Sequence, residues 1–405
     1  MMLLIFAWRN IWRNRRRSLV TLAAVGLNTA ILIATYGLMQ GIMDHAVYNA
    51  TNVVVGEVQI HAPKYLVDRN MYKVVTTPDR IMAALESRGI PAAARSYGYG
   101  LVASGTKSAG AMFWGVDPVK EKKVFDLARQ MAEGAFLPDQ PIKGIVLGRK
   151  LARSLMARVG SEIVVVVQAA DGSMGNDLYQ VVGILKSAGE SLDRTTAVMH
   201  QADFKTLFVS GGRVHEIALN TRGAVPLTDL AALASRLAPQ AEVKTWHQLM
   251  PALSDMVVFA EVGIIIFGII FFLAAGLGVL NTMLMATFER IREFGLLKAL
   301  GTTPWRILRD VAAEALVLGF VSTLVGIFIG ALASYYLMVH GLDTSAWAGT
   351  YSVAGVAFDP LWKATITLRT VLLPVAVMWV VCFLASIYPA AIAARQDPVK
   401  AMQHV

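Results

Sequence analysis

Between Val257 and Tyr336 two long apolar stretches flank a short charged insert, and few folds other than a membrane hairpin accept that pattern. A bilayer core takes about 20 apolar residues per helix. Residues 257–288 exceed that length and carry Glu261 near their start, so the first turns are expected to project beyond the lipid as a stalk. In the insert, Ile291, Phe294, Leu297 and Leu300 recur every three residues, and Glu289, Arg290, Arg292, Glu293 and Lys298 fall mostly elsewhere. That periodicity predicts an amphipathic helix with one apolar face and an exposed Lys298. Gly301 is placed to end it in the left-handed conformation. Thr303-Pro304 is placed to open the next helix as N-cap and first helical residue. The predicted module is a membrane helix, a short surface helix and a second membrane helix. A surface helix of this kind either rests on lipid or docks a soluble partner, and docking is the sharper expectation.

The rest of the chain extends this plan. Residues 1–18 read as a basic amphipathic helix, with Leu4, Trp8, Ile11 and Trp12 on one face and Arg9, Arg13 and Arg16 on the rest. The apolar run 19–43 is too long for a signal peptide and lacks its small-residue cleavage site, so it is expected to be a retained first span. Gly26, Ala30 and Ala34 give that span a small-residue stripe suited to close packing. Residues 44–256 have the composition of an α/β domain. Val53–His61 alternates like a strand, and Thr77-Pro78-Asp79 opens a helix that Gly89 closes. SEIVVVVQ and DLYQVVGILK read as a hairpin joined across Ala169–Asp177. Helix Ala231–Leu237 and the stretch Val243–Met250 lead back to the membrane. The second span is 257–288, the insert 289–303 and the third span 304–340, where Ser322, Gly326, Gly330 and Ser334 repeat every four residues. A loop over 341–369 offers Trp347 and Trp362 as interface anchors. The last span, 370–394, holds Pro374 as a possible kink, and 395–405 is a tail.

Composition agrees with a few spans plus one large domain: 56% of the 405 residues are hydrophobic, 16% are charged, and mean hydropathy is +0.54. The formal charge is +9, but nearly all of the excess lies in 1–18, 289–310 and the tail. Basic residues beside spans mark the inner side, so both termini and the insert belong inside and nucleic acid is not a partner. The lone Cys382 allows no intrachain disulfide, and the seven histidines are scattered. GxxxxGK[ST] and HExxH are both absent, and Ser104 and Ser173 lack nucleophile context. No catalytic residue, metal site or cofactor site is therefore expected. Glu261 reads as a stalk residue, and Glu314 as the partner of an interfacial arginine. Asn281-Thr282 suits hydrogen bonding across helices.

At the insert, NTMLMATFERIREFGLLKALGTTPWRI resembles the second span and coupling helix of FtsX-like ABC permeases, the group of the lipoprotein-releasing (Lol) and MacB-type mechanotransmission transporters. The shared pattern falls on Glu289, Glu293, Phe294, Gly295, Leu297, Ala299 and Gly301. FWGVDPVKE (Phe113–Glu121), GIVLGRKLARSLMARVGSEIVV (Gly144–Val165) and YQVVGILKSAGESLDRTTAVM (Tyr179–Met199) are similar to that family's periplasmic core. SIYPAAIAARQDPVKAM is similar to its C-terminal signature, with a stop at Asp397-Pro398.

The resemblance implies an α+β membrane protein with four transmembrane helices and a large α/β periplasmic domain inserted between the first two. It implies a multi-pass protein of the bacterial inner membrane, with N- and C-termini cytoplasmic. Glu289, Arg290, Ile291, Glu293, Phe294, Leu297, Leu300 and Gly301 would meet an ABC ATPase dimer that itself holds ATP and Mg. A second permease copy or paralogue would complete the assembly. The cargo would be a lipoprotein or lipid-like molecule passing between the first two spans, lined by Gly26, Ala30, Ala34, Gly276, Gly278 and Asn281. A chain of this length without a fused ATPase is expected to be of the Lol type. One Lol paralogue carries an extended, proline-containing hook in the hairpin for a soluble carrier; the short turn here argues against direct carrier recruitment. The alternatives are a signalling subunit that regulates a cell-wall hydrolase, MacB-like efflux of peptides or small molecules, and a secondary transporter. The last would need inverted repeats that are not evident.

Overall fold

The computed structural model describes residues 15–187, 189–346, 351–353, 356–358 and 360–396. The expected amphipathic face around Trp8, the Trp347 anchor and the stop at Asp397-Pro398 lie outside the described residues. The chain divides into a helical unit, drawn from 1–43, 258–347 and 360–405, and a sheet unit, drawn from 44–257 and 348–359.

The sheet unit is built on strands β1 (Val58–His61), β2 (Ala92–Ser104), β3 (Lys107–Val116), β4 (Met131–Gly134), β5 (Gly144–Leu147), β6 (Glu162–Gln168), β7 (Met174–Leu185), β8 (Thr196–His200), β9 (Glu216–Leu219) and β10 (Glu242–Thr245). They form one ten-stranded sheet in the order β10-β1-β9-β2-β3-β8-β5-β7-β4, with β6 pairing β2 and β7. β1 is shorter than the alternation over Val53–His61 suggests. Asn49–Val55 stays helical as a π-turn, and Gly56 makes the break at φ +78, where a Cβ would lie 2.8 Å from the Leu219 carbonyl oxygen. The β6–β7 hairpin pairs as far as Gln168 opposite Met174, so its connection is residues 169–173. The expected turn was too long because Gly175–Asp177, although polar, still pair with β6.

Two amphipathic helices, Pro78–Glu86 and Leu227–Leu237, lie over β1 and β9. Their Ile81, Leu85, Leu230 and Ala234 share a core with Val58, Ile60, Ile217 and Leu219. The same unit buries a charge network that no sequence pattern announced. Arg95, fully buried, donates to Glu121 at 2.6 Å and to Glu216 at 3.1 Å, and its guanidinium lies 3.9 Å from the Phe125 ring centroid. His61 and His215 are buried beside it on either side of Tyr65. Burial pushes both imidazoles below their ordinary value, Glu216 only partly opposing this at His61.

The helical unit contains helices long and apolar enough to cross a membrane: α1 (Arg15–Tyr48), Pro251–Glu289, Pro304–Val339 and Leu368–Arg395. With the two sheet-unit helices as α2 and α3, these last three are α4, α6 and α7, and the insert helix Ile291–Ala299 is α5. Small residues set the α1–α6 contact. A Cβ at Gly26 would stand 3.1 Å from the Ser322 carbonyl oxygen, and one at Gly330 3.0 Å from Ala30 Cα. Helix α6 packs on α7 where Gly319 meets the Cys382 side chain and Trp379 Nε1 donates to Thr323 Oγ1 at 3.1 Å. Helix α7 runs through both Pro374 and Pro389 without interruption. Within 341–369, Leu342–Asp343 pairs with Leu361–Trp362, and Trp362 is half-buried.

Candidate functional site

Helix α5 ends as a glycine-terminated helix should. Gly301 has φ +90, its N–H donates to Lys298 O at 3.0 Å, and Thr302 N–H donates to Leu297 O at 3.0 Å, the paired bonds of a Schellman turn. Pro304 is the first residue of α6, but the Thr303 hydroxyl makes no capping bond. At its other end α5 is joined to α4 through Arg290, and this residue holds the module together. Arg290 Nε donates to Glu293 at 3.0 Å and Nη1 to Glu314 on α6 at 2.9 Å, with its guanidinium 5.1 Å from the Phe294 ring centroid. The interfacial arginine expected for Glu314 is therefore Arg290.

Lys298 is not the freely exposed charge expected from the wheel. It is half-buried, and its Nζ donates to the carbonyls of Ala394 at 3.0 Å and Gln396 at 2.7 Å. A cation on the last carbonyls of a helix satisfies orphan acceptors and complements the dipole. Helix α5 is thus tied at its N-cap residue to Glu314, about three turns into α6, and from its last turn to the end of α7.

The apolar face of α5 is also divided. Ile291 and Phe294 are both buried, and Phe294 shares a core with Val25, Val279, Met283, Ile307, Val311 and Ala315 and with Cys382, Ala390 and Ala393 of α7. Leu297 is 42% and Leu300 76% exposed. The expectation of one four-residue docking face is corrected by helix geometry. Steps of three residues fall about 60° short of a full turn, so Leu300 ends about half a turn round from Ile291. The exposed side of α5 carries Arg292, Glu293, Leu296, Leu297 and Leu300, with Trp305 at the start of α6 also exposed. Glu289 is exposed and Gly295 buried.

The residues expected to line a path between the first two spans fall in several settings. Gly26 and Ala30 face α6, as above, and Ala34 is half-buried. A Cβ at Gly276 would lie 3.3 Å from Val381 of α7, one at Gly278 would meet nothing within 4 Å, and Asn281 is exposed. A polar link between α1 and α4 joins Thr21 Oγ1 to Thr282 Oγ1 at 2.7 Å. Nearby in the unit is an apolar cavity of ≈ 250 Å³ walled by three helices. Leu32, Thr35 and Tyr36 come from α1, Ile264–Ile265 and Phe267–Ile269 with Phe272 from α4, and Leu373, Pro374 and Val377 from α7. Tyr36 and the α7 wall carried no sequence signal beyond their apolar setting. Among the described residues no group of three His, Cys, Asp or Glu side chains could hold a metal ion.

Two family models match this chain. The MacB-like periplasmic core domain aligns with residues 18–238 and the FtsX-like permease C-terminal domain with residues 265–398. The chain is an FtsX-like ABC transporter permease. Its relatives include the lipoprotein-releasing system transmembrane protein LolC of Neisseria meningitidis, 22% identical over 96% of this chain and 94% of that protein. An uncharacterized ABC transporter permease of Methanocaldococcus jannaschii is 22% identical over 87% of this chain and 90% of that one. The pyoverdine export ATP-binding/permease protein PvdT of Pseudomonas fluorescens is 25% identical over 98% of this chain, which spans 58% of that longer protein. In this permease the coupling-helix pattern read from sequence is α5, and the matched periplasmic core contains the sheet unit as far as α3.

Proposed function

We propose that this permease is a four-span subunit of the bacterial inner membrane, with both termini cytoplasmic. It pairs with a second copy or a paralogue and is driven by a separate ATPase dimer that holds ATP and Mg. Its cargo is a lipoprotein or lipid-like molecule. The observation that supports this cargo is the cavity between α1, α4 and α7, whose walls contain no Asp, Glu, Lys or Arg. Such a lining suits an acyl chain, each buried methylene contributing about 0.8 kcal/mol. The relation to LolC favours the same class. The exposed side of α5 meets the ATPase, and the 39-residue α4 carries the motion outward.

Gly268 gives the test. It lines the cavity, and a Cβ there meets nothing within 4 Å, so Gly268→Leu fills the space without displacing backbone. In vesicles containing the full complex, Gly268→Leu should abolish ATP-dependent release of a triacylated lipoprotein while basal ATP hydrolysis persists. Unchanged release would remove this cavity from the cargo path. Export of a small molecule is the second reading, favoured by the near full-length relation to PvdT. It predicts release of unacylated solute in the same vesicles. Hydrolysis without release of either cargo would point to signalling.

A further inference from the structure

The sheet unit holds a second concavity, remote in sequence from the coupling helix. A cleft of ≈ 610 Å³ is lined by α2 with the residues just before and after it, and by the C-terminal end of α3 with the segment that follows. Its volume lies within the range of small-ligand sites, about 300–1,000 Å³. Arg80 and Arg88 line it from the α2 side and Arg236 from the last turn of α3, while no Asp or Glu contributes to its walls. The apolar lining includes Ile81, Ala84 and Leu237.

Arg80 and Ala84 lie one turn apart on α2, and Arg88 follows in the turn just after the helix ends. The small Ala84 leaves room between the two long side chains. Arg88 Nη1 donates to the Ala84 carbonyl at 2.7 Å, which uses one nitrogen of its fork and leaves the others available. Among the described residues no carboxylate is paired with any of the three arginines. Three arginines along a cleft without carboxylates raise its positive potential. Their planar forks match the oxygens of a phosphate bidentately, where lysines would act only as point charges.

We infer that this cleft binds a phosphate-bearing ligand, with Arg80, Arg88 and Arg236 as its anchors. The ligand chemistry is shared by a lipid headgroup and a free phosphate ester, and the site is independent of the cargo the spans carry. The full chain in neutral detergent is titrated calorimetrically with glycerol 3-phosphate and with dihexanoyl phosphatidic acid. At least one should bind, and Arg80→Gln or Arg236→Gln should each weaken it about tenfold. The distant, exposed Arg158→Gln should leave binding unchanged. Circular dichroism should be unaltered in each variant, since Arg80 and Arg236 are exposed and support no core. Similar affinities for the two ligands would identify a free phosphate ester as sufficient. A preference of tenfold or more for phosphatidic acid would identify a lipid headgroup. Absence of binding at millimolar concentration, or equal binding by wild type and the R80Q/R88Q/R236Q triple variant, would overturn the site.

Discussion

The Arg290–Glu314 pair offers the most direct test of how α5 is held. The two side chains are 18% and 11% exposed and meet at 2.9 Å, so little water screens them. Removing one partner of a buried pair costs about 3–5 kcal/mol, and the residual exposure here lowers the expectation to about 2–3 kcal/mol for Arg290→Gln. Arg290→Glu should cost more, because it sets two carboxylates against each other beside Glu293. The double variant R290E/E314R restores opposite charges and should recover about 2 kcal/mol relative to the sum of the singles, roughly a 30-fold change in the equilibrium. The assay is a double-mutant cycle on thermal unfolding of the purified permease, with ATP-driven release, on the proposed reading, followed for the same variants in the full complex. The reasoning is refuted if Arg290→Gln unfolds like wild type, or if the double variant is no more stable than the poorer single.

Other outcomes follow from the same structure. Leu300→Asp, on the exposed side of α5, should abolish ATPase co-purification with the permease's own unfolding unchanged, whereas Phe294→Asp should destabilise the helical unit itself by several kcal/mol. Lys298→Met removes both bonds to the end of α7 and should lower the unfolding free energy by about 1–3 kcal/mol. Burial holds His61 and His215 below the 6.5 of an unfolded histidine. The unfolded chain therefore takes up protons first, and stability should fall as pH drops below about 6.5, by up to about 1.4 kcal/mol per pH unit per histidine. Unfolding curves between pH 8 and 5 should show this slope reduced in His215→Gln. Gly326→Leu would drive side-chain atoms into Thr29 and the Gly26 carbonyl and should prevent α1–α6 packing, measured as loss of the folded detergent-solubilised protein.

What sequence could reveal depended on whether the signal was local. The apolar runs announced the long helices because burial in lipid leaves a composition, and Gly301 announced the end of α5 because positive φ favours one residue type. The family motifs announced the sheet unit. Partners set by tertiary placement were not legible: Lys298 looked exposed on an isolated wheel, and only the return of α7 brings the Ala394 and Gln396 carbonyls to it. Arg95 stood in an ordinary strand with nothing to show that Glu121 and Glu216 would surround it. Gly26 and Ala30 were legible as a packing stripe but not as to which helix they would meet, since small residues record closeness and not identity.

These placements also say how a push on α5 would reach the cavity on the proposed reading. Of its three walls, α4 is joined to α5 through Arg290 and α7 is tied to it by Lys298. From Ala394 to Leu373 along α7 is 21 residues, about 30 Å of helix, and the helix is unbroken between them despite Pro389 and Pro374. The third wall, α1, has no tie to α5 of this kind, and its close small-residue contact is with α6, which Arg290 holds through Glu314. A displacement of α5 would thus act on α4 and α7 through these ties and on α1 through α6 and the core that Val25 shares with Phe294. The α7 link combines the charged Lys298 cap with the core that Phe294 shares with Cys382, Ala390 and Ala393. Of these two ties, the Lys298 cap is the one that a substitution can remove without opening the core. On the proposed reading, Lys298→Met should uncouple hydrolysis from release more than its cost in stability accounts for, since it removes the charged part of the tie between α7 and the helix that is pushed.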